Sequence, residues 1–265
     1  MILLSSFDLA IAAGLIVLLA LLSWRLRLGQ EKALLIAATR TTVQLLLIGW
    51  VLKALFAVSD WYWVALMALV MWLAAGREAS ARQRRPLAGG WGFGVGTASM
   101  FVSSLAVTVL ALLAIVQPDP WYTPQYAIPL LGMLLGNTMN GIALGLDRLT
   151  VEAWDQRETI EARLLLGQSG EASLRETRRE AMRTGMIPIV NAMAAAGIVS
   201  LPGMMTGQIL AGAPPIEAVK YQILIMFLIT VGTGLGTIAA VWLGSRRLFD
   251  ARERLRLDRI GGGGR

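Results

Sequence analysis

Long apolar stretches separated by short charged segments constrain this chain more than any other feature of its sequence. A helix needs about 20 mostly apolar residues to cross the hydrocarbon core of a bilayer, and seven stretches approach or exceed that length. Only 15% of the residues are charged, whereas about a quarter are charged in an ordinary soluble domain. The sequence therefore predicts an all-α, polytopic membrane protein. The seven predicted spans are residues 9–28, 34–57, 61–75, 92–116, 126–146, 186–211 and 219–243.

The basic residues fall on alternate connecting segments, and this pattern predicts the orientation of the chain. Of the 24 lysines and arginines, all but Lys53 and Lys220 lie in four such segments. Positively charged loops are retained on the cytoplasmic side of a membrane. The amino terminus is then outside and the carboxyl terminus cytoplasmic, which requires an odd number of spans. The four basic segments are residues 25–40, 77–85, 147–184 and 246–265.

The same pattern predicts the domain organisation and the partners. Residues 1–265 are predicted to form a single transmembrane domain, with a cytoplasmic helix-turn-helix at 147–185 and a basic, flexible tail at 246–265. The net charge of +7 is explained by topology and by attraction to anionic lipid. The lipid bilayer is therefore a predicted partner, and nucleic acid is not.

Several residue types that catalytic and metal sites use are missing from the sequence. There is no cysteine and no histidine, which excludes disulfides, Cys/His zinc sites and histidine bases. The three lysines, Lys32, Lys53 and Lys220, follow Glu, Leu and Val, so the Gly-Lys pair of a P-loop is absent. The chain is predicted to be no enzyme and to bind neither a cofactor nor a metal of its own.

Residues 147–185 are the longest hydrophilic segment between predicted spans. Their pattern predicts two helices broken at residues 167–170, where Gly167 and Gly170 enclose two polar residues. One interpretation is a solvated connector whose charges keep it in water. The other is a docking element, because apolar residues ahead of a glycine bend can seat in a cleft of a partner.

A short motif supports the docking interpretation. Residues 161–167 read Glu-Ala-Arg-Leu-Leu-Leu-Gly, which resembles the Glu-Ala-Ala-x-x-x-Gly signature of ABC-importer permeases, with Arg163 in place of the second alanine. In those permeases the motif rests in a groove of the ATPase subunit. The resemblance implies an ATPase-coupling role for six residues here. They are Glu161, Ala162, Leu164, Leu165, Leu166 and Gly167.

Polar residues inside the predicted spans are candidates for a translocation pathway, because polar groups are costly in a bilayer. Arg40 and Gln44 lie one helical turn apart in the second span, and Asn137 and Asn140 lie three residues apart in the fifth. Each pair has a structural alternative. Arg40 can extend its guanidinium to the interface, and the asparagines can simply bridge helices.

The sixth predicted span is the least regular, because proline and glycine interrupt it. Proline removes a backbone donor and glycine relaxes the chain, and broken helices commonly frame substrate sites in transporters. The alternative is a plain kink near the outer end of the span. The pathway candidates in this region are Asn191, Ser200, Pro202, Gly203, Met204 and Met205.

Gly-x-x-x-Gly pairs recur along the predicted spans. Such pairs allow two helices to approach closely, so they predict dense packing. The pairs are Gly92/Gly96, Gly132/Gly136, Gly141/Gly145, Gly203/Gly207 and Gly232/Gly236.

Several runs together resemble a small family of ABC transporter permeases. They are residues 127–137, 187–207 and 218–222, with Arg40-x-x-x-Gln44 earlier in the chain. This family includes the bacterial Fet-type iron-export permease and plant aluminium-tolerance membrane subunits. The resemblance implies a homodimeric permease of the bacterial inner membrane that exports iron or another metal. Two copies of a separate ATPase subunit, which binds ATP and Mg²⁺, would power it. Gln222 joins the pathway candidates through this resemblance.

The transported substrate stays open among a metal ion, a metal chelate and a nucleotide sugar. No carboxylate lies deep in a predicted span, and hard cations such as Fe³⁺ prefer carboxylates, so we expect a metal to be weakly held or chelated. Two other functions are also open. One is a non-transporting scaffold or sensor, and the other is an ion-coupled carrier, which the missing intramembrane carboxylates disfavour.

Overall fold

The computed structural model describes residues 5–57 and 60–261, and helices dominate both ranges. Two π-helical segments, Phe101–Leu105 and Ala111–Val116, flank α5, so the chain from α4 onward forms one rod that ends at Val116. The helices are α1 (Ser6–Arg25), α2 (Glu31–Ala57), α3 (Trp61–Ala81), α4 (Trp91–Met100), α5 (Ala106–Leu110), α6 (Pro124–Asp155), α7 (Arg157–Leu165), α8 (Gly170–Ser173), α9 (Arg175–Ala195), α10 (Gly203–Leu210) and α11 (Pro215–Arg247).

Six helices in the described ranges are long and apolar enough to cross a membrane. They confirm the prediction of an all-α, polytopic membrane protein. The third is longer than its predicted apolar stretch, because α3 continues through Gly76 to Ala81 and thereby reaches spanning length. The six are α1, α2, α3, the rod Trp91–Val116, α6 and α11.

The predicted span 186–211 is not one helix but two, and the count of seven single-helix spans is therefore corrected to six plus this divided segment. Its first part is the end of α9, which stops at Ala195, and its second part is α10. Gly197 adopts a left-handed conformation with φ of +83°, which ends the helix. Pro202 does not break a helix, because it caps the start of α10. The interruption thus begins earlier than the predicted break at 200–205.

The chain forms two compact units, and the first contains α1 and α2. Ser5 and Asp8 cap α1 through reciprocal hydrogen bonds, which satisfies amide groups that the first turn leaves free. Within α1 only Ala20 and Ser23 are buried, and within α2 only Leu55. Such helices present apolar side chains on nearly every face, which is stable in lipid and not in water.

The second unit, from residue 60 onward, is built around α6, α9 and α11. Glycine allows these three helices to approach closely. A methyl group at Gly185 of α9 would lie 2.5 Å from the carbonyl oxygen of Gly141 in α6 and 2.5 Å from Cγ2 of Thr237 in α11. Gly145 faces Val241 in the same way, one turn further along. The predicted dense packing is confirmed here, whereas Gly203 and Gly207 have no neighbour this close.

Three of the four basic segments meet at one end of the second unit. The Arg84 amide donates to Asp147 Oδ1 over 2.6 Å, and the Gly170 amide donates to Glu253. Lys220 lies near the start of α11, at the far end of that helix from its last residue, Arg247. The predicted clustering of segments 77–85, 147–184 and 246–261 is therefore observed. Segment 25–40 belongs to the first unit and its side of the membrane stays a prediction.

The carboxyl-terminal residues 248–261, here called the C-terminal strap, fold back onto this basic end. The Ala88 amide donates to the Arg259 carbonyl over 2.8 Å, and the Gly261 amide donates to the Pro86 carbonyl over 2.7 Å. Leu248 and Ile260 are buried. The part of the predicted flexible tail up to Gly261 thus packs against the bundle, and residues 262–265 lie outside the described ranges.

Candidate functional site

The site begins with a turn, residues 165–170, that joins α7 to α8 and includes the first residue of α8; it is here called the coupling turn. Gly167 has φ of +87°, and its amide donates to the Leu164 carbonyl over 2.9 Å while the Gln168 amide donates to the Arg163 carbonyl over 3.1 Å. These bonds satisfy the last carbonyl groups of α7. Ser169 then caps α8 by accepting the Ala172 amide. The predicted break at 167–170 is therefore observed.

Two leucines project from this turn into the surroundings. Leu165 is 89% exposed and Leu166 is 84% exposed, although both sit among charged segments. The prediction of a three-leucine knob needs a correction, because Leu164 packs against the buried core. Its neighbour one turn earlier, Ile160, is only 1% exposed. Large apolar side chains held in water at a fixed position are typical of a protein-binding surface.

Arg163 links the two helices on either side of the turn, α7 and α8. Its guanidinium Nη1 donates to the Ser173 carbonyl over 3.0 Å, across ten residues of chain. The departure from the alanine of the signature thus has a structural role that the sequence did not reveal. The other predicted coupling residues, Glu161 and Ala162, are exposed on α7 beside the leucines.

The turn is connected to the membrane helices by two continuous elements. On one side α6 runs 32 residues to Asp155, about 48 Å at 1.5 Å per residue. After a break at Gln156, α7 leads into the turn, so the first predicted cytoplasmic helix is the end of α6 plus a separate α7. On the other side α9 returns from Arg175 and packs against α6 at Gly185. The turn is thus joined to the α6–α9–α11 core through α7 on one side and through α8 and α9 on the other.

Asn137 and Asn140 do not form a shared polar site. The Asn137 side-chain amide donates to the Met133 carbonyl of its own helix over 2.8 Å. Asn140 accepts a 2.7 Å hydrogen bond from Arg82 Nη1 at the end of α3. Both contacts are structural, and they match the alternative in which asparagine satisfies or bridges helices.

The candidates of the divided segment are spread over several environments. Asn191, Ser200 and Gly203 are exposed, Pro202 is half-buried and Met205 is buried. Met204 lines a small cavity of about 50 Å³ with Tyr126 and Tyr221. Arg40 and Gln44 belong to the first unit and are exposed there.

Gln222 is the pathway candidate with the most distinctive environment. It is buried on α11, and its Oε1 atom has no hydrogen-bond partner among the described residues. A buried carbonyl oxygen without a partner is unfavourable, which is typical of a residue that meets water or a ligand during function.

Sequence analysis missed a group of buried hydroxyls where α6 and α11 pack together. Thr138, Thr233 and Thr237 are each at most 2% exposed, and their Oγ1 atoms have no hydrogen-bond partner among the described residues. Their signal in the sequence is a set of threonines at helical spacing next to glycines, on stretches that otherwise read as uniformly apolar.

A cavity with an aromatic lining lies away from all of these candidates. It has a volume of about 320 Å³, opens between α3, the rod Trp91–Val116 and α6, and has an aromatic lining that includes Trp61, Trp72 and Trp121. The Trp72 indole donates to the Thr97 carbonyl over 2.9 Å, so this wall group is satisfied within the protein. Over residues 5–57 and 60–261, no group of three or more carboxylates is placed to hold a metal ion.

The strap contacts the coupling turn at Gly170, and the carboxylate of Asp250 fixes the conformation of the loop that makes this contact. Asp250 accepts the backbone amides of Arg252 and Arg254 over 2.8 and 3.1 Å and the Arg254 Nε over 2.9 Å. These bonds, above all that from the Arg254 amide, lower the pKa of Asp250 to about 2. The loop 250–254 is thereby fixed next to α8.

Fold and site together define a class: an all-α, multi-pass membrane protein whose basic end presents an apolar, glycine-bounded turn. The chain belongs to UPF0014, an uncharacterised protein family, whose sequence profile matches residues 6–249. This confirms the family resemblance seen in the sequence, because the relatives include both the iron-export and the plant proteins.

Three relatives illustrate the similarity. The UPF0014 membrane protein slr1647 of Synechocystis is 39% identical over 89% of this chain and 90% of its own length. The probable iron export permease protein FetB of Escherichia coli is 33% identical over 94% of this chain and 93% of its own. STAR2, a UPF0014 membrane protein of rice, is 32% identical over 88% and 80%. No solved structure matches the chain.

Proposed function

We propose that this chain is the membrane-spanning permease subunit of an ABC transporter, an exporter driven by a separate ATPase subunit that binds ATP and Mg²⁺. The observation that carries the proposal is the exposure of Leu165 and Leu166 on the coupling turn. Two apolar side chains on a rigid turn fit a cleft in a partner, and the charges around them favour one orientation. The basic end that carries them would face the cytoplasm, where ATP is available.

The assembly and location follow from the same proposal. Two ATPase subunits would dock on a homodimer of this chain in the bacterial inner membrane, one at each coupling turn. The ATP-driven displacement of the turn would pass through α7 and α9 into the α6–α9–α11 core. The interruption at 196–202 supports this, because α10 can move relative to α9 without bending a continuous helix.

The proposed cargo is iron or another metal. The name of the Escherichia coli relative, a probable iron export permease, supports this choice. The donors available near the route are Met204, Met205, the unpaired Oε1 of Gln222 and threonine hydroxyls. These are weak ligands for a hard cation, so the metal would be loosely held or carried as a chelate, which suits release across the membrane.

Transport by the reconstituted complex tests the proposal. Vesicles that contain this chain and its co-expressed ATPase would be assayed for ATP-dependent movement of metals, chelates and nucleotide sugars. The double variant Leu165→Ala/Leu166→Ala is expected to lose stimulation of ATP hydrolysis by the permease and most of the transport. Transport at the wild-type rate in this variant would remove the turn from the mechanism, whereas the absence of ATP-dependent transport by the wild-type complex would favour a scaffold function.

A further inference from the structure

The C-terminal strap contacts the coupling turn at Gly170 through two side chains, Glu253 and Phe249, and only Glu253 forms a hydrogen bond there. Glu253 accepts the Gly170 amide with one carboxylate oxygen, Oε2. Gly170 is the first residue of α8, and its amide has no partner within that helix, as expected for a first turn. The carboxylate therefore supplies the bond that orients the outgoing arm of the turn.

Close packing surrounds this bond at both Gly170 and Glu253. A methyl group at Gly170 would lie 2.6 Å from Glu253 Oε2 and 2.7 Å from Cδ1 of Phe249. Gly170 itself is buried, and so is Leu174, one turn further along. The strap and the first turn of α8 thus fit together closely, and only glycine is compatible with the contact.

Glu253 also has an unusual backbone, with φ of +59°. This conformation is unfavourable for residues other than glycine, and it persists because the surrounding loop fixes it. The Glu253 amide donates to the Asp250 carbonyl over 3.1 Å, and the Asp250 amide donates to the Arg254 carbonyl over 3.2 Å. The tight loop aims the carboxylate of Glu253 at Gly170.

The other end of the strap is tied to the connection between α3 and α4. Leu87 and Ile260 pair as an antiparallel bridge and are both buried. Arg259 donates through Nη1 to the carbonyls of Arg247 and Phe249, each over 2.9 Å. The strap is thus also anchored to the α3–α4 connection and to the end of α11.

We infer that Glu253 is a positioning residue for the ATPase-docking surface, and that the C-terminal strap holds the coupling turn in the orientation that a partner binds. This inference rests on the proposed function. Without the bond, the turn samples other orientations, and the affinity for the partner falls with the fraction of molecules that are in the competent one. Once the partner is bound, the rates of ATP hydrolysis and transport do not depend on Glu253.

Three variants separate the carboxylate from the rest of the strap. Glu253→Ala removes the acceptor. Glu253→Gln keeps an oxygen that accepts the Gly170 amide and removes only the charge. Asp258→Ala is the matched control, because Asp258 pairs with Arg256 inside the strap and has no bond to the turn.

The first measurement does not involve the ATPase. Hydrogen exchange of the full chain in lipid nanodiscs is expected to show faster exchange of the Gly170 amide in Glu253→Ala, by about tenfold or more for a lost charge-assisted bond. Glu253→Gln and Asp258→Ala should stay close to wild type. Unchanged protection in Glu253→Ala would overturn the inference at the level of structure, whatever the partner is.

The second measurement separates positioning from a general structural role. In titrations with the ATPase subunit, Glu253→Ala should raise the apparent Kd about three- to tenfold and keep the maximal coupled ATPase rate. Glu253→Gln should restore the wild-type Kd. An unchanged Kd, or a lower maximal rate without rescue by glutamine, would overturn the inference. Failure of wild-type chain to bind any ATPase would instead contradict the proposed function, which distinguishes the two.

Discussion

Two turns, one that precedes α8 and α9 and one that follows α9, look alike and sit in different surroundings. In the first, Leu165 and Leu166 precede Gly167, and in the second, Ile198 and Val199 follow Gly197. Both glycines are left-handed, with φ of +87° and +83°. The two apolar pairs are also almost equally exposed, at 89% and 84% against 89% and 83%.

What differs is the environment of each pair. The coupling turn lies at the basic end, where Arg163 and Glu253 brace its arms. The turn at 197–199 is closed by backbone bonds, such as that from the Gly197 amide to the Ser200 carbonyl over 2.9 Å, and by the Ser200 hydroxyl, which donates to the Ala195 carbonyl over 3.5 Å. It has no charged residue in sequence between 196 and 202, and the segment 186–211 around it is apolar. Apolar exposure is unfavourable in water and neutral in lipid, so only the first pair indicates a protein partner.

The largest expected effect comes from separating α9 from the core, which breaks the link between the two turns. Gly185→Val places side-chain atoms against the Gly141 carbonyl and Thr237, and overpacking of this kind destabilises by about 3 kcal/mol or more when backbone must move. The variant should unfold at a clearly lower temperature or denaturant concentration in detergent.

A glycine on α6 provides the matched control for this variant. Gly136 has no atom within 4 Å of an added methyl group. Gly136→Ala should therefore leave the unfolding temperature unchanged or raise it slightly, because alanine favours helix by about 1 kcal/mol over glycine. Equal effects of the two substitutions would contradict the close α6–α9 packing.

The second effect compares the apolar pairs themselves. Leu165→Ala/Leu166→Ala should weaken binding of the ATPase subunit by at least about tenfold, since apolar anchors of this kind contribute 1–2 kcal/mol or more each. Ile198→Ala/Val199→Ala removes an equally exposed pair and should leave this affinity unchanged. Co-purification and titration of the purified subunits measure both, and a weakening confined to the second pair would reverse the assignment.

A third and smaller effect tests the glycine that shapes the coupling turn. Gly167→Ala has space for its methyl group, but the left-handed backbone is unfavourable for alanine by about 1 kcal/mol. ATPase affinity should fall by roughly three- to tenfold, without a change in the expression of the folded protein. Gly197→Ala carries the same strain at the other turn and should have no such effect on affinity.

The smallest effect is a pH dependence confined to the basic end. The pKa of Asp250 is about 2 in the folded protein, against an ordinary value of 3.8, so ionised Asp250 favours the folded strap. That stabilisation is complete above about pH 4 and is lost as the pH falls through about 2. The thermal stability of wild type should exceed that of Asp250→Asn near neutral pH, and the difference should vanish near pH 2. A constant difference would contradict the role of the carboxylate.

The fold could be predicted wherever one sequence feature, such as a long apolar run or a cluster of arginines, extended over a whole helix or loop. Apolar length identified the six spanning helices, and the distribution of arginine identified which loops of the second unit share an end. The divided segment was harder, because 186–211 is apolar throughout and its interruption depends on the backbone of Gly197. The low helix propensity of proline led to a predicted break at Pro202, several residues after the interruption at Gly197. Pro202 lies at the start of α10 and does not end a helix.

The site was predictable only in its local part. The motif at residues 161–167 identified the coupling turn, because all the residues that define it are consecutive in the sequence. The bond between Gly170 and Glu253 joins positions 83 residues apart, and no periodicity signals such a contact. The asparagines are functional candidates because they are polar residues in a span, and a pathway role for them stays a prediction. The hydrogen bond between Asn140 and Arg82 could not be predicted, because only the fold brings the two residues together.

Site-specific photo-cross-linking in native membranes tests the central claim most directly. A photoreactive amino acid would replace Leu166 or, in a parallel strain, Val199, which is almost equally exposed in the turn that follows α9. The account predicts that illumination joins position 166 to a P-loop ATPase subunit and that position 199 gives no such product. Cross-linking of the ATPase from position 199, with none from 166, would contradict it.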